Sequence, residues 1–517
     1  MKRIIVTGAT ILMALIMTAP SFAAMETKVT GTFTLYGILN LNPNMASDDD
    51  DKETVSFREM QLRINTETKI NDKITFFTRF DILDKILSSQ FSNTIQHEGE
   101  DDDNIQFDHA WMRIISPVGV FQLGRKTGVK WGTDFFDDGN YYGTDRAEYI
   151  LPIPVGDDKF IFGAVAEKAL ETEETNRDND KFYLTGTYMS KEWKTGLLVG
   201  LYSYNTFVAD NGNTAVDAQI TALDNAFNAW ALDPTNPALA AAAGGAAANF
   251  GNAAAGYRPR IDGQVMYFAP YFSGKVGPLK INAEFGYING EAQLKGPYPG
   301  LLDAVYQANY LGALSQGATP LQADAIADGA VANTLTNTNE KKDVNAMCLW
   351  LEAGVPMGKA NMELGYAYLS GDKDGFSGDI EYAGFLGQGE DWEKLFILTG
   401  DNSSLDTSLG GDGNILEIGS AMNTAGINLM YLGGSYDITD NFSVNGILGY
   451  ATAAEEPAGW KDDYGTEIDL GLSWKFLGNL EYNATAAYLM VGDFWKKGTN
   501  AKVDDVISLY HELVLSF

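Results

Sequence analysis

Three histidines, one cysteine and a few regularly spaced arginines are the residues with which this chain could do chemistry. His97, His109 and His511 are scattered, and Asp108-His109 is the single acid–histidine neighbour pair. Adjacent strand residues point to opposite faces, so that pair is not expected to form a dyad. A hydrolase would need Ser/His or Asp/His groups placed together, and three scattered histidines offer no such set. Cys348 is the only cysteine, which excludes a disulfide framework, a four-cysteine zinc site and a CxxCH haem attachment. The chain reads as no enzyme, with no cofactor and no metal centre.

The arginines sit in alternating segments. Met60, Leu62 and Ile64 share one face of a strand, and Ile74, Phe76, Phe80 and Ile82 share a face of the next, across the turn Asn71-Asp72-Lys73. If those faces meet lipid, Glu59, Arg63, Asn65, Arg79 and Asp81 lie on the other face. Arg63 then falls opposite Asp81, and Arg79 opposite Asn65. Met112 and Ile114 similarly leave His109 and Arg113 inward. Placing such cations in lipid would cost ~2–4 kcal/mol each at the midplane, so an inward cluster of Arg63, Arg79 and Arg113 is expected, with His109 a further candidate.

The elements that must position this cluster follow from composition and period. The chain has 517 residues, 25 Tyr, 27 Phe, 9 Trp and a net charge of −33, which argues against a nucleic-acid partner. Lys2 and Arg3, the apolar run Ile11 to Met17, and Ser21-Phe22-Ala23 read as a secretory signal over 1-23, leaving a mature chain of 24-517. No later run reads as a spanning helix; Pro234 to Tyr257 is mostly Ala and Gly. Elsewhere strands alternate. Tyr464, Thr466, Ile468, Leu470, Leu472, Trp474 and Phe476 oppose Glu467, Asp469, Ser473 and Lys475. The same period runs through 278-290 and 479-491, over lengths of roughly 10–14 residues that suit a tilted strand crossing a bilayer.

Connections alternate too. Eight short turns, at Asn71-Asp72-Lys73, Pro117-Val118-Gly119, Gly156-Asp157-Asp158, Ser190-Lys191-Glu192, 274-277, Met357-Gly358, Thr439-Asp440-Asn441 and Leu477-Gly478-Asn479, separate nine long loops. The long loops are 41-53, 84-104, 127-143, 169-180, 208-258, 291-342, 371-423, 454-462 and 492-503. That implies an all-β transmembrane antiparallel barrel of about 18 strands, with 16 as the other count, in an outer membrane. Within 127-143, Trp131, Phe135, Phe136, Tyr141 and Tyr142 are aromatics that need a place to pack.

The chain ends Leu509, His511, Leu513, Leu515, Phe517 on one face, and Thr30 to Gly37 follows the signal as a first strand. This pattern resembles the general porin family of Gram-negative outer membranes, over the whole mature chain though without one diagnostic motif. His511 departs from it, standing where the family has an apolar or aromatic residue. The resemblance implies a water-filled channel for passive diffusion of small hydrophilic solutes. It also implies a homotrimer among lipid and lipopolysaccharide, and a terminal Phe517 read by the barrel-assembly machinery. The third loop, 127-143, would fold inward and narrow the pore, setting Asp134, Asp137 and Asp138 against Arg63, Arg79 and Arg113. The competing account pairs those arginines with wall carboxylates such as Asp81 and lays the loop flat on the rim. The acid balance adds an expected cation preference.

Other features are weaker. Val216, Ile220, Leu223, Phe227 and Trp230 have helical spacing, and Thr319-Pro320-Leu321-Gln322 reads as a helix start, both as shelter for the barrel mouth or as a gate. Asp48 to Asp51 and Glu98 with Glu100 to Asp103 read as solvated charge more than as divalent-cation sites. A barrel serving as partner or sheath of a transport or electron-transfer complex is the alternative function.

Overall fold

The computed structural model describes the strands, their short turns and parts of the long loops. Residues 1–24, 87–104, 171–178, 296–300 and 401–424 lie outside the description, as do most of 48–53, 128–143, 207–259, 316–340 and 373–393. The signal at 1-23 and both acidic runs therefore fall outside it.

Eighteen antiparallel strands pair in sequence order, and β1 (Glu26–Leu41) pairs with β18 (Val506–Ser516), so the sheet closes on itself. The remaining strands used below are β2 (Thr54–Asn71), β3 (Ile74–Ile86), β4 (Ile105–Ser116), β5 (Gly119–Lys126) and β6 (Thr144–Val155). Across the ring stand β9 (Trp193–Thr206), β10 (Arg260–Val276), β11 (Leu279–Lys295), β12 (Lys341–Met357) and β13 (Ala360–Leu369). They are followed by β14 (Ile427–Thr439), β15 (Phe442–Thr452), β16 (Asp463–Phe476) and β17 (Leu480–Val491). All eight short turns fall between the expected strands, although the fifth hairpin turns at Gly277, where φ is +63°, later than the span 274-277 centres it. Closure leaves no unpaired edge, which is what lets a sheet cross lipid.

The outer face is apolar and open. Phe107, Met266, Leu364, Met430 and Leu470 are exposed, while Glu467 and Asp469 on the opposite face of β16 are buried. A water-soluble sheet would reverse that arrangement, so the exposed belt is a lipid-facing surface. No helix among the described residues is long and apolar enough to span a membrane; crossing is by strands.

Two register shifts correct the simple alternation. On β4, Arg79 pairs with His109 and Phe80 with Phe107, leaving Asp108 as an extra residue. On β16, Ala451 pairs with Gly465 and Thr452 with Asp463, leaving Tyr464 extra. Tyr464 therefore leaves the lipid face assigned to it above and is fully buried. Its hydroxyl donates to the Gly426 carbonyl at 2.9 Å, and its ring meets Phe494 and Trp495. A bulge inserts one residue and so reverses the face of what it carries.

The first and last strands meet at the short-turn end of the barrel, where Gly31 and Phe517 exchange backbone hydrogen bonds of 2.9 and 3.0 Å. At the outer end, Asp504 N–H donates to the Met45 carbonyl and Lys52 pairs with Asp504 at 2.8 Å, joining the first and last long loops. The Lys52 ammonium holds the Asp504 carboxyl below its ordinary range. One helix, α1 (Leu301–Ser315), lies in the loop 291-342, upstream of the expected start at Thr319, which is outside the described residues. Of the other expected helix only short pieces near Leu223 are described, and they are helical.

Candidate pore-lining site

One side of the lumen is a wall of matched charges. Register places Arg63 opposite Asp81, and its Nε and Nη2 donate to the two Asp81 oxygens at 2.8 Å each. This is the planar, two-bonded recognition a guanidinium makes with a carboxylate. Arg79 sits opposite Asn65, but its guanidinium reaches Asp108. Arg113 lies 3.8 Å from Glu67 and 5.1 Å over the Phe77 ring, which stacks on Trp111 at 4.1 Å. The wall thus pairs its arginines with its own carboxylates.

The bulge in β4 corrects the expectation for Asp108 and His109. With Asp108 as the extra residue, both side chains turn inward, and His109 Nε2 comes within 3.6 Å of Asp108 Oδ2. That contact exceeds hydrogen-bond length, and the buried Nε2 makes no hydrogen bond. Asp108 is engaged by Arg79, so the pair is a packed ion cluster rather than a proton-transfer dyad. Lys126 was missed from sequence: it pairs with Glu148 at 2.7 Å and lies 5.0 Å over Trp111. Its place on β5, two residues beyond Gly124 and four beyond inward Gln122, is the signal that could have found it.

The described residues of the third long loop, Trp131 to Thr133 and Phe135, lie in the lumen rather than on the rim. It leaves β5, yet its partners stand on strands nearly across the ring. Trp131 Nε1 donates to the Ala269 carbonyl on β10 at 2.9 Å, with its ring edge-on to Tyr271. Thr133 Oγ1 donates to Glu284 on β11 at 2.8 Å, and Lys194 on β9 donates to the Gly132 carbonyl at 2.9 Å. Gly132 is required there: φ is +70°, and a Cβ would sit 1.7 Å from a Glu284 oxygen. Phe135 packs between Trp350 on β12 and Trp392. Asp134, Phe136, Asp137 and Asp138 lie outside the described residues.

A second in-folded segment was not expected at all. Residues 392–399, inside the long loop 371-423, bury Trp392, Leu395, Ile397 and Leu398 against the inner wall. Lys394 donates to Glu352 on β12 at 2.6 Å and lies over the Trp350 and Tyr431 rings, each at 5.4 Å. Tyr431 and Asn282 donate to the same Glu352 at 2.7 and 3.0 Å. The run Leu395-Phe396-Ile397-Leu398 in an otherwise polar loop was the available signal. Among the described residues no group of three or more His, Cys, Asp or Glu is placed to hold a metal ion.

An edge-free eighteen-strand barrel, apolar outside, with charged groups on part of its inner face and loop segments folded against it, is a transmembrane β-barrel of the outer-membrane type. No family profile matches the chain, and no curated protein matches it in sequence. Solved structures similar to it in shape include OccAB1 of Acinetobacter baumannii, at 8% identity over 97% of this chain and 98% of that one, with a TM-score of 0.48. OccK8 (OprE) of Pseudomonas aeruginosa is similar at 11% identity over 95% and 98%, with a TM-score of 0.46. An anion-selective porin from Comamonas acidovorans is similar at 9% identity over 95% and 100%, with a TM-score of 0.42.

Proposed function

We propose that the protein is a passive diffusion channel for small hydrophilic solutes and ions. The observation that carries this reading is the polar inner wall on β2 to β6, with Arg63, Arg79, Arg113 and Lys126 on the face opposite the lipid belt. Charged groups so placed serve a water-filled passage; an anchor would have no use for them. We assign the acidic side of the constriction to Asp134, Asp137 and Asp138 of the same loop, whose described residues Thr133 and Phe135 fold inward. Cation preference is part of the proposal. Each wall arginine has a carboxylate neighbour in Asp81, Asp108 or Glu67, while acidic residues outnumber basic ones 69 to 36 in the chain.

Conductance in planar bilayers tests the channel, and the reversal potential in a salt gradient tests its sign. Arg63→Ala, Arg79→Ala and Arg113→Ala together should move that potential further toward cations. An anion-selective wild type would overturn the preference, and a silent bilayer the channel.

Assembly as a homotrimer through the wall around His511 belongs to the same proposal, with Phe517 as the residue read by the assembly machinery. His511 is exposed on the outer face, its Nε2 set over Gly37, where a Cβ would lie 2.8 Å away. A monomeric mass in mild detergent would refute the trimer.

A further inference from the structure

Buried carboxylates hold the tip of the seventh long loop on the wall. Glu467 accepts the backbone N–H of Ile397 at 2.6 Å and of Leu398 at 2.8 Å, and Asp469 accepts that of Phe396 at 2.9 Å. Three successive N–H groups converge on two carboxylates that alternate on one strand. Among the described residues neither carboxylate has a basic side chain within ion-pair distance. Two buried carboxyl groups without a cation need another reason to be there, because desolvation costs are repaid only by well-made partners. Here the partners are the loop's own N–H groups, which reach both Glu467 oxygens and Asp469 Oδ2 and leave Asp469 Oδ1 buried without a hydrogen bond.

The tip is also closed within itself. Thr399 N–H donates to the Leu395 carbonyl at 3.0 Å, and Thr399 Oγ1 accepts from Leu395 N–H at 2.9 Å. On the other side, Trp392 meets Phe135 of the third loop edge-on at 4.8 Å, so the two loop tips interlock.

We propose that residues 392–399 are a latched plug. Glu467 and Asp469 hold the tip in a narrow state of the barrel, and release of the latch, with Phe135 loosened in turn, gives a second and wider state. This rests on the channel reading for its effect on current, but not for its effect on wall exposure. Cys348 reports the latter: it is a free buried thiol on β12, on the same face as Trp350 two residues on, whose ring is covered by Trp392 and Lys394 of the tip.

The test is the double variant Glu467→Gln, Asp469→Asn, judged folded by its heat-shifted gel mobility. A small water-soluble methanethiosulfonate should modify Cys348 about tenfold faster than in the wild type, the shift expected from weakening the three N–H contacts that hold the tip. Single channels should show an added, larger conductance level. Phe135→Ala should raise the labelling rate alone and add little to the double variant. Unchanged labelling and unchanged levels in the folded double variant overturn the latch. If that variant does not fold, Lys394→Met removes the other anchor of the tip; an unchanged Cys348 rate there also overturns it. A wild type without current defeats the channel, while the labelling rates still judge the latch.

Discussion

The two halves of the inner wall obey different rules. On β2 to β6 the inward face carries charge and the outward face carries apolar residues, so one face is wet and the other oily. On β12 and β14 the outward face is apolar and most of the inward face is too, with Lys342 and Glu352 as the buried charged exceptions on β12. Val344, Ala346, Cys348 and Trp350 are buried inward while Met347 and Leu351 are exposed outward, and Leu429 and Tyr431 are buried beside exposed Met430 and Leu432. An apolar inner face cannot border water at no cost, and it is this half that the loop tips cover. Loss of polar alternation in a barrel strand therefore marks where something is packed inside.

The largest effect that could break this contrast comes from deleting residues 131–138. With Trp131 and Phe135 gone, the β10 to β12 wall loses its cover and conductance should rise severalfold. Unchanged conductance would mean the loop does not set the narrowest point.

A second effect belongs to the charged half. Arg79 and Asp108 are both mostly buried, so Asp108→Ala leaves an unpaired guanidinium and should cost about 3–5 kcal/mol. The temperature of the heat-induced mobility shift should fall, with Asp108→Asn falling less. Equal stability would show that the pair is water-compensated and the wall is wetter than its geometry suggests.

The smallest effect lies at the bulge. Tyr464→Phe removes one hydrogen bond, to Gly426, and should cost about 1 kcal/mol without altering current. A change in current would connect that outer aromatic cluster to the passage.

Most of the fold was legible because a period of two and turn residues are local properties. Asn71 and Gly277 mark turns whatever surrounds them, and Ile468 and Leu470 face lipid because Glu467 and Asp469 cannot. The register of Arg63 against Asp81 followed from a three-residue turn. The two bulges were not legible, since an extra residue such as Asp108 or Tyr464 changes no composition and reverses only what lies at it. The site was legible by halves: the arginines could be put inside, but not that Asp108 would join them.

The sequence by itself narrowed the strand count to eighteen or sixteen and determined the alternation of short and long connections and the identity of the lipid face, because each rests on neighbours within a few residues. Only the tertiary structure decided that Trp131, Thr133 and Phe135 reach β10 to β12, and that 392–399 docks on Glu467 and Asp469. Those contacts join residues far apart in the chain. A loop's destination depends on which wall is left apolar and which N–H groups remain unpaired once the barrel has closed, and neither is a property of the loop itself.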